Sequence, residues 1–103
     1  TYARDLAQNI LDILPNIKND KVAIYNYSNE GVLSWYDFAK EIMRMAKIDC
    51  SINPIETFQY PTPAKRPHYS LLNKSKIKND FGVEIPYWKD SLSDCLKVLG
   101  ERR

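Results

Sequence analysis

At 103 residues the chain is the size of one domain, and its 44% hydrophobic and 12% aromatic content is enough for a core, which excludes a disordered segment. Fifteen Lys and Arg against thirteen Asp and Glu leave a formal charge of +2, too small for a general nucleic-acid or membrane-surface binder. No apolar run approaches the ~20 residues of a bilayer span, and no signal-peptide pattern is present.

The chain opens Thr1-Tyr2-Ala3, without an initiator methionine, and enters a helical pattern almost at once, so a piece of a longer protein is expected. Ala3, Leu6, Ala7, Ile10, Leu11 and Leu14 form the 3.6-residue stripe of an amphipathic helix, which Pro15 and Asn16 end. Val22-Ala23-Ile24-Tyr25-Asn26-Tyr27 is β-branched and aromatic and predicts a strand, followed by a turn at Ser28-Asn29-Glu30-Gly31. Ser34-Trp35-Tyr36-Asp37 is a helix start in which the serine accepts from a free backbone N–H and Asp37 favours the positive end of the helix. Trp35, Phe38, Ala39, Ile42, Met43 and Ala46 share one face of that helix and read as core. Ser51-Ile52-Asn53-Pro54-Ile55 predicts a second short strand, so strand, helix and strand make a βαβ unit with a parallel pair.

Pro61-Thr62-Pro63-Ala64-Lys65-Arg66-Pro67 is the chain's most informative segment. Each proline fixes its own φ and pushes the preceding residue toward extended geometry, so Arg66, with Lys65 beside it, is offered on a stiff backbone. Such a guanidinium suits bidentate capture of a phosphate or carboxylate. The alternative is a rigid surface loop whose arginine only caps a neighbouring helix. Asn73 or Ser75 then starts a third helix that packs Ile77 and Phe81 and stops at Gly82, a left-handed cap. Val83-Glu84-Ile85-Pro86 leads to a last helix carrying Trp88, Leu92, Cys95, Leu96 and Leu99 on one side and closed by Gly100, before the polar tail Glu101-Arg102-Arg103.

Other chemistry is sparse. The three glycines are isolated, so no phosphate-cradling loop exists, and His68 has no nucleophile partner by motif. One histidine and no cysteine pair at ligand spacing leave no zinc site, and Cys50 and Cys95 read as reduced thiols. Tyr36 and Lys40 have the Tyr-x-x-x-Lys spacing, but Tyr36 lies at a first helical turn beside the core stripe, and the pair is not read as catalytic.

Taken in order, Thr1-Tyr2-Ala3-Arg4-Asp5-Leu6-Ala7, Gly31-Val32-Leu33-Ser34-Trp35-Tyr36-Asp37-Phe38-Ala39, Tyr60 to Pro67 with Ser70 and Leu72, and Phe81-Gly82 with Trp88-Lys89-Asp90-Ser91-Leu92 resemble the carboxy-terminal third of the dTDP-4-dehydrorhamnose reductase family. The resemblance covers essentially the whole chain. It implies an α/β fold: a small C-terminal substrate-binding domain with a βαβ unit and about four helices, cut from a Rossmann-type NAD(P)-binding reductase of the extended short-chain dehydrogenase/reductase superfamily. Residues 1–16 would be a helix of the Rossmann half and residues 17–103 the nucleotide-sugar-binding domain. The family transfers a hydride from NADPH or NADH to the C4 keto group of dTDP-4-dehydro-L-rhamnose, giving dTDP-L-rhamnose for cell-surface polysaccharide.

The implied partners are a dTDP-sugar and the missing amino-terminal Rossmann domain, in the cytoplasm, with a homodimer as a further option. The resemblance places the catalytic residues and the cofactor outside this chain, so the fragment alone is expected to be inactive and to bind no NADPH. In the wider group of nucleotide-sugar epimerases and dehydratases an arginine in a similar Arg-Pro loop contacts the sugar-nucleotide diphosphate. That role carries onto Arg66, with Lys65 as its neighbour. The alternative is a non-catalytic relative of the same fold, such as the regulatory subunit of methionine adenosyltransferase, which works by binding a partner enzyme.

Overall fold

The computed structural model describes residues 1–18 and 20–101, backbone only at Glu101. Among them are four helices, α1 (Ala3–Ile13), α2 (Trp35–Ala46), α3 (Ser75–Phe81) and α4 (Trp88–Glu101), with short 3-10 turns at Leu14–Asn16 and Thr57–Gln59. They divide into two compact units, one formed by Thr1–Gly31 with Leu72–Arg103 and the other by Val32–Leu71.

In the first unit, Asp5 sits in the first turn of α1, and the helix passes through Leu14 into a 3-10 turn led by Pro15, which has no N–H to donate. The buried side chain of α1 is polar, Asn9, whereas Leu6, Ile10, Leu11 and Leu14 on its apolar stripe are exposed. The apolar core lies elsewhere in the unit, in Ile77 of α3 and Trp88 and Leu92 of α4. Gly82 ends α3 in the left-handed region, φ 63°, and its N–H closes on Lys78 O at 2.8 Å. Asn73 Oδ1 accepts from Ser75 N–H at 2.9 Å and so starts the same helix. Helix α4 runs through Gly100, which was expected to close it, and Leu99 on its last turn is exposed. Arg102 and Arg103 of the expected polar tail lie outside the described residues.

The junction between the turn at Ser28–Gly31 and α4 is the unit's tightest point. Glu30 pairs with Tyr87 in a single parallel bridge, through Glu30 N–H to Pro86 O and Trp88 N–H to Glu30 O, both 3.0 Å. Gly31 follows at φ 111°, and a Cβ there would lie 2.5 Å from Trp88 Cδ1 and 2.6 Å from Tyr87 Cε2. Only glycine supplies both that φ and that clearance. Beside it, Asn29 joins three segments: its Oδ1 accepts from Tyr2 N–H at 2.7 Å, and its Nδ2 donates to Asp5 at 2.8 Å and Ser91 Oγ at 2.9 Å. Ser91 Oγ in turn donates to the Asp5 carboxylate. The half-buried Tyr27 phenol is pushed up in pKa, first by desolvation and second by the Asp5 charge.

In the second unit, α2 opens with a reciprocal cap: Asp37 N–H donates to Ser34 Oγ at 3.1 Å and Ser34 N–H to Asp37 Oδ2 at 2.9 Å. The helix ends on Lys47 in the left-handed conformation, φ 55°. Phe38, Ala39, Ile42 and Met43 are half-buried, as a core stripe requires, but Trp35 is 86% exposed and Ala46 is exposed. The buried side chain of α2 is Glu41, held by Arg44 through Nε at 3.1 and 3.2 Å.

Neither expected strand forms among the described residues. Val22–Tyr27 and Ser51–Ile55 have no ladder partner there, so the βαβ unit is not seen in them, and the bridge at Glu30 is the only β pairing. A strand is a relation between two segments, and β propensity in one segment does not supply the other.

Candidate functional site

The basic pair lies in the second unit, and the chain reaches it through locally closed turns. Glu56 N–H donates to Gln59 Oε1 at 2.6 Å, Gln59 N–H to Glu56 O at 2.9 Å and Tyr60 N–H to Thr57 O at 3.2 Å, closing the 3-10 turn just before Pro61. Thr62 Oγ donates to Ala64 O at 2.8 Å, tying down the segment between Pro61 and Pro63 on one side and Lys65 on the other. Pro67 follows directly. The loop is therefore restrained by three prolines and by hydrogen bonds within itself, with no burial: every residue from Asn53 to Asn73 is exposed.

Lys65 and Arg66 point no hydrogen bond or ion pair at any described residue, and His68 beside them is likewise exposed. The helix-capping alternative thus has no contact in its favour. Two cations on a restrained backbone have the chemistry to meet an anion, and a guanidinium fork can take two oxygens at once. Sequence reasoning passed over three rings of the same segment: Phe58, Tyr60 and Tyr69 are 81%, 69% and 74% exposed. Their signal was available, because aromatic residues in a proline-rich stretch without periodicity have no helix or strand face to bury them.

The lysines just beyond the loop are engaged. Lys74 Nζ donates to Asn29 O at 3.0 Å and lies 3.5 Å from Glu30, Lys78 pairs with Glu30, and Lys76 Nζ donates to Ile24 O at 2.9 Å. The hydrogen bond from Lys78, reinforced by the charges of Lys74 and Lys78, holds the Glu30 carboxyl below its usual range in spite of some desolvation. These lysines are thus committed to groups within the first unit. An open groove along α2, lined by Lys40, Glu41, Met43, Arg44, Ile48 and Cys50, has its arginine committed to Glu41. Tyr36 and Lys40 face each other with the ammonium 6.0 Å from the ring centroid, a packing contact on a helix surface. Among the described residues no group of three or more His, Cys, Asp or Glu is placed to hold a metal ion, and no helix is long and apolar enough to cross a membrane.

Comparison with known proteins agrees with the order of these elements. The model of the RmlD substrate binding domain matches residues 1–100. A dTDP-4-dehydrorhamnose reductase of Aggregatibacter actinomycetemcomitans is 35% identical, over 91% of this chain and 35% of its own length. The spore coat polysaccharide biosynthesis protein SpsK of Bacillus subtilis is 31% identical, over 94% of this chain and 32% of its own. The crystal structure of a dTDP-4-dehydrorhamnose reductase from Clostridium acetobutylicum superposes with a TM-score of 0.84 at 34% identity, covering 93% of this chain and 33% of that one. The chain thus spans about a third of the length of the relatives it matches.

Proposed function

The chain belongs to the RmlD substrate binding domain family, and from that premise we propose that it is the nucleotide-sugar-binding part of a cytoplasmic dTDP-4-dehydrorhamnose reductase. The whole enzyme would reduce dTDP-4-dehydro-L-rhamnose to dTDP-L-rhamnose with NADPH or NADH, serving polysaccharide synthesis. Arg66 takes the diphosphate with its two-pronged guanidinium, and Lys65 adds a second positive charge. The observation that carries this reading is the exposed, unpaired Lys65–Arg66 pair on a proline-braced loop.

In this reading the dinucleotide is bound by the remainder of the enzyme, supported by the scatter of the glycines: Gly31 packs against Tyr87 and Trp88, Gly82 caps α3 and Gly100 lies inside α4, and they form no cluster of the kind that cradles a pyrophosphate. Cofactor and catalytic groups belong to the remainder of the enzyme, and the fragment alone is inactive. Residues 1–16 belong with the Rossmann half, a reading supported by the exposed apolar stripe of α1, with Leu11 63% and Leu14 54% accessible.

The test is kinetic, on the full-length enzyme. Charge-assisted bonds to a diphosphate are worth ~1.5–3 kcal/mol each and form in ground and transition states alike, so Arg66→Ala should raise KM for the nucleotide sugar roughly ten-fold or more with kcat less affected. Arg66→Lys should recover part of the loss. A fall in Tm with unchanged KM would remove Arg66 from the site.

A further inference from the structure

The loop that carries Lys65 and Arg66 also carries rings that the fold does not use. Elsewhere aromatic side chains are engaged: Tyr25 packs against Phe81, Trp35 against Phe38 and Tyr87 against Trp88. Among the described residues, the side chains of Phe58, Tyr60 and Tyr69 make no ring–ring, cation–π or hydrogen-bond contact, although two of them have a hydroxyl to offer.

Tyr69 differs from the other two in its distance along the chain from the cations. It follows Arg66 by three residues, so the two Cα atoms are at most ~11 Å apart. Pro67 fixes the first step of that path, and a bend at His68 brings its ends closer still. Phe58 and Tyr60 lie on the far side of Pro61 and Pro63, on or beside the 3-10 turn Thr57–Gln59. Of the three rings, Tyr69 is the one the chain keeps within reach of a small molecule whose charged end is held at Arg66.

A guanidinium takes oxyanions in its plane, and a phenol offers an apolar π-face. Together they match a molecule that is anionic at one end and flat and aromatic at the other. Tyrosine suits the task because it presents a large rigid surface at little cost in rotamer freedom. In a nucleotide sugar the anionic part is the diphosphate and the flat aromatic part is the base. We propose that Tyr69 is the stacking ring for the nucleobase of the nucleoside diphosphate whose phosphates Arg66 takes, and so a residue that selects nucleotides over other diphosphates. This rests on the reading of Arg66 as the diphosphate-binding group. Stacking meets the π-face and not the edge of the base, so Tyr69 separates nucleotides from diphosphates that have no base and does not separate one base from another.

The experiment is calorimetric titration of the full-length protein with dTDP and, separately, with inorganic pyrophosphate, with Tm recorded on the same samples. The parent should bind dTDP more tightly than pyrophosphate; equal binding of the two overturns the proposal. Tyr69→Ala should raise the Kd of dTDP roughly ten-fold and leave that of pyrophosphate within about two-fold, while Tyr69→Phe, which keeps the ring, leaves both near the parent values. Unchanged dTDP binding in Tyr69→Ala overturns the proposal. So does equal weakening of the two ligands, or a fall in Tm with their ratio unchanged, which gives the ring to packing within the whole enzyme. A base-selective loss in Tyr60→Ala instead of Tyr69→Ala assigns the base to the other phenol and overturns it too. Arg66→Ala should weaken both ligands. If Tyr69→Ala is selective while Arg66→Ala changes neither ligand, the stacking ring stands and the diphosphate reading falls; the reverse pattern keeps Arg66 in the site and removes Tyr69.

Discussion

The two units are ordered by different means. The first closes on Ile77, Trp88 and Leu92 and on a polar junction in which Asp5, Asn29 and Ser91 satisfy one another. In the second, the one described residue that is buried is the charged Glu41, and its order comes from a capping box, a closed turn and prolines. Long-range packing makes a region intolerant of change. Local devices hold a surface in shape while leaving its side chains free to meet a ligand, and it is the second unit that carries Lys65 and Arg66.

The first unit is most easily disrupted at Gly31. Gly31→Ala combines an unfavourable φ with a clash against Tyr87 and Trp88 and should cost about 3 kcal/mol or more in urea unfolding. A loss under 1 kcal/mol would mean that the junction yields easily. Next comes Asn29→Ala, which takes the acceptor from Tyr2 N–H and one donor from each of Asp5 and Ser91, and should cost about 2 kcal/mol by the same measurement. In the second unit, Ser34→Ala removes the cap of α2 for about 1 kcal/mol, read as a loss of helical circular dichroism on heating.

A smaller effect depends on pH. The Glu30 carboxyl titrates below its ordinary value because Lys78 and Lys74 favour its charged form. Its contribution is therefore present above the unfolded-state pKa and is lost as pH falls through the lower, folded one. Tm curves of the parent and of Glu30→Gln should converge across that acid interval and stay separated at neutral pH. Smallest of all is the stability effect of Arg66→Ala, within about 0.5 kcal/mol of zero, since the side chain touches nothing described. A larger loss would mean that Arg66 packs against the rest of the protein and serves its stability.

What could be read in advance follows the same division. Helices α1 to α4 were legible because periodicity, the Ser34–Asp37 cap and the Gly82 stop are properties of contiguous sequence. Tyr25 shows why the strands were not: its partners on α3 lie 55 residues away and hold it by side chains without a ladder. Trp35 sits on the expected helical face, but a shared face does not say that anything covers it. The Asn29 junction gave no signal, because an asparagine in a turn looks the same whether it serves the turn alone or three segments. The proline loop was legible as a braced cationic segment, while its exposed rings lay outside any periodic pattern.

The chain has two tryptophans, and they fall one to each unit: Trp35 is 86% exposed and Trp88 is 8% exposed. Their fluorescence is therefore separable, a long-wavelength component open to acrylamide quenching and a short-wavelength one shielded from it. With no label added, the two emission bands report independently on the region that carries the cations and on the region that carries the core.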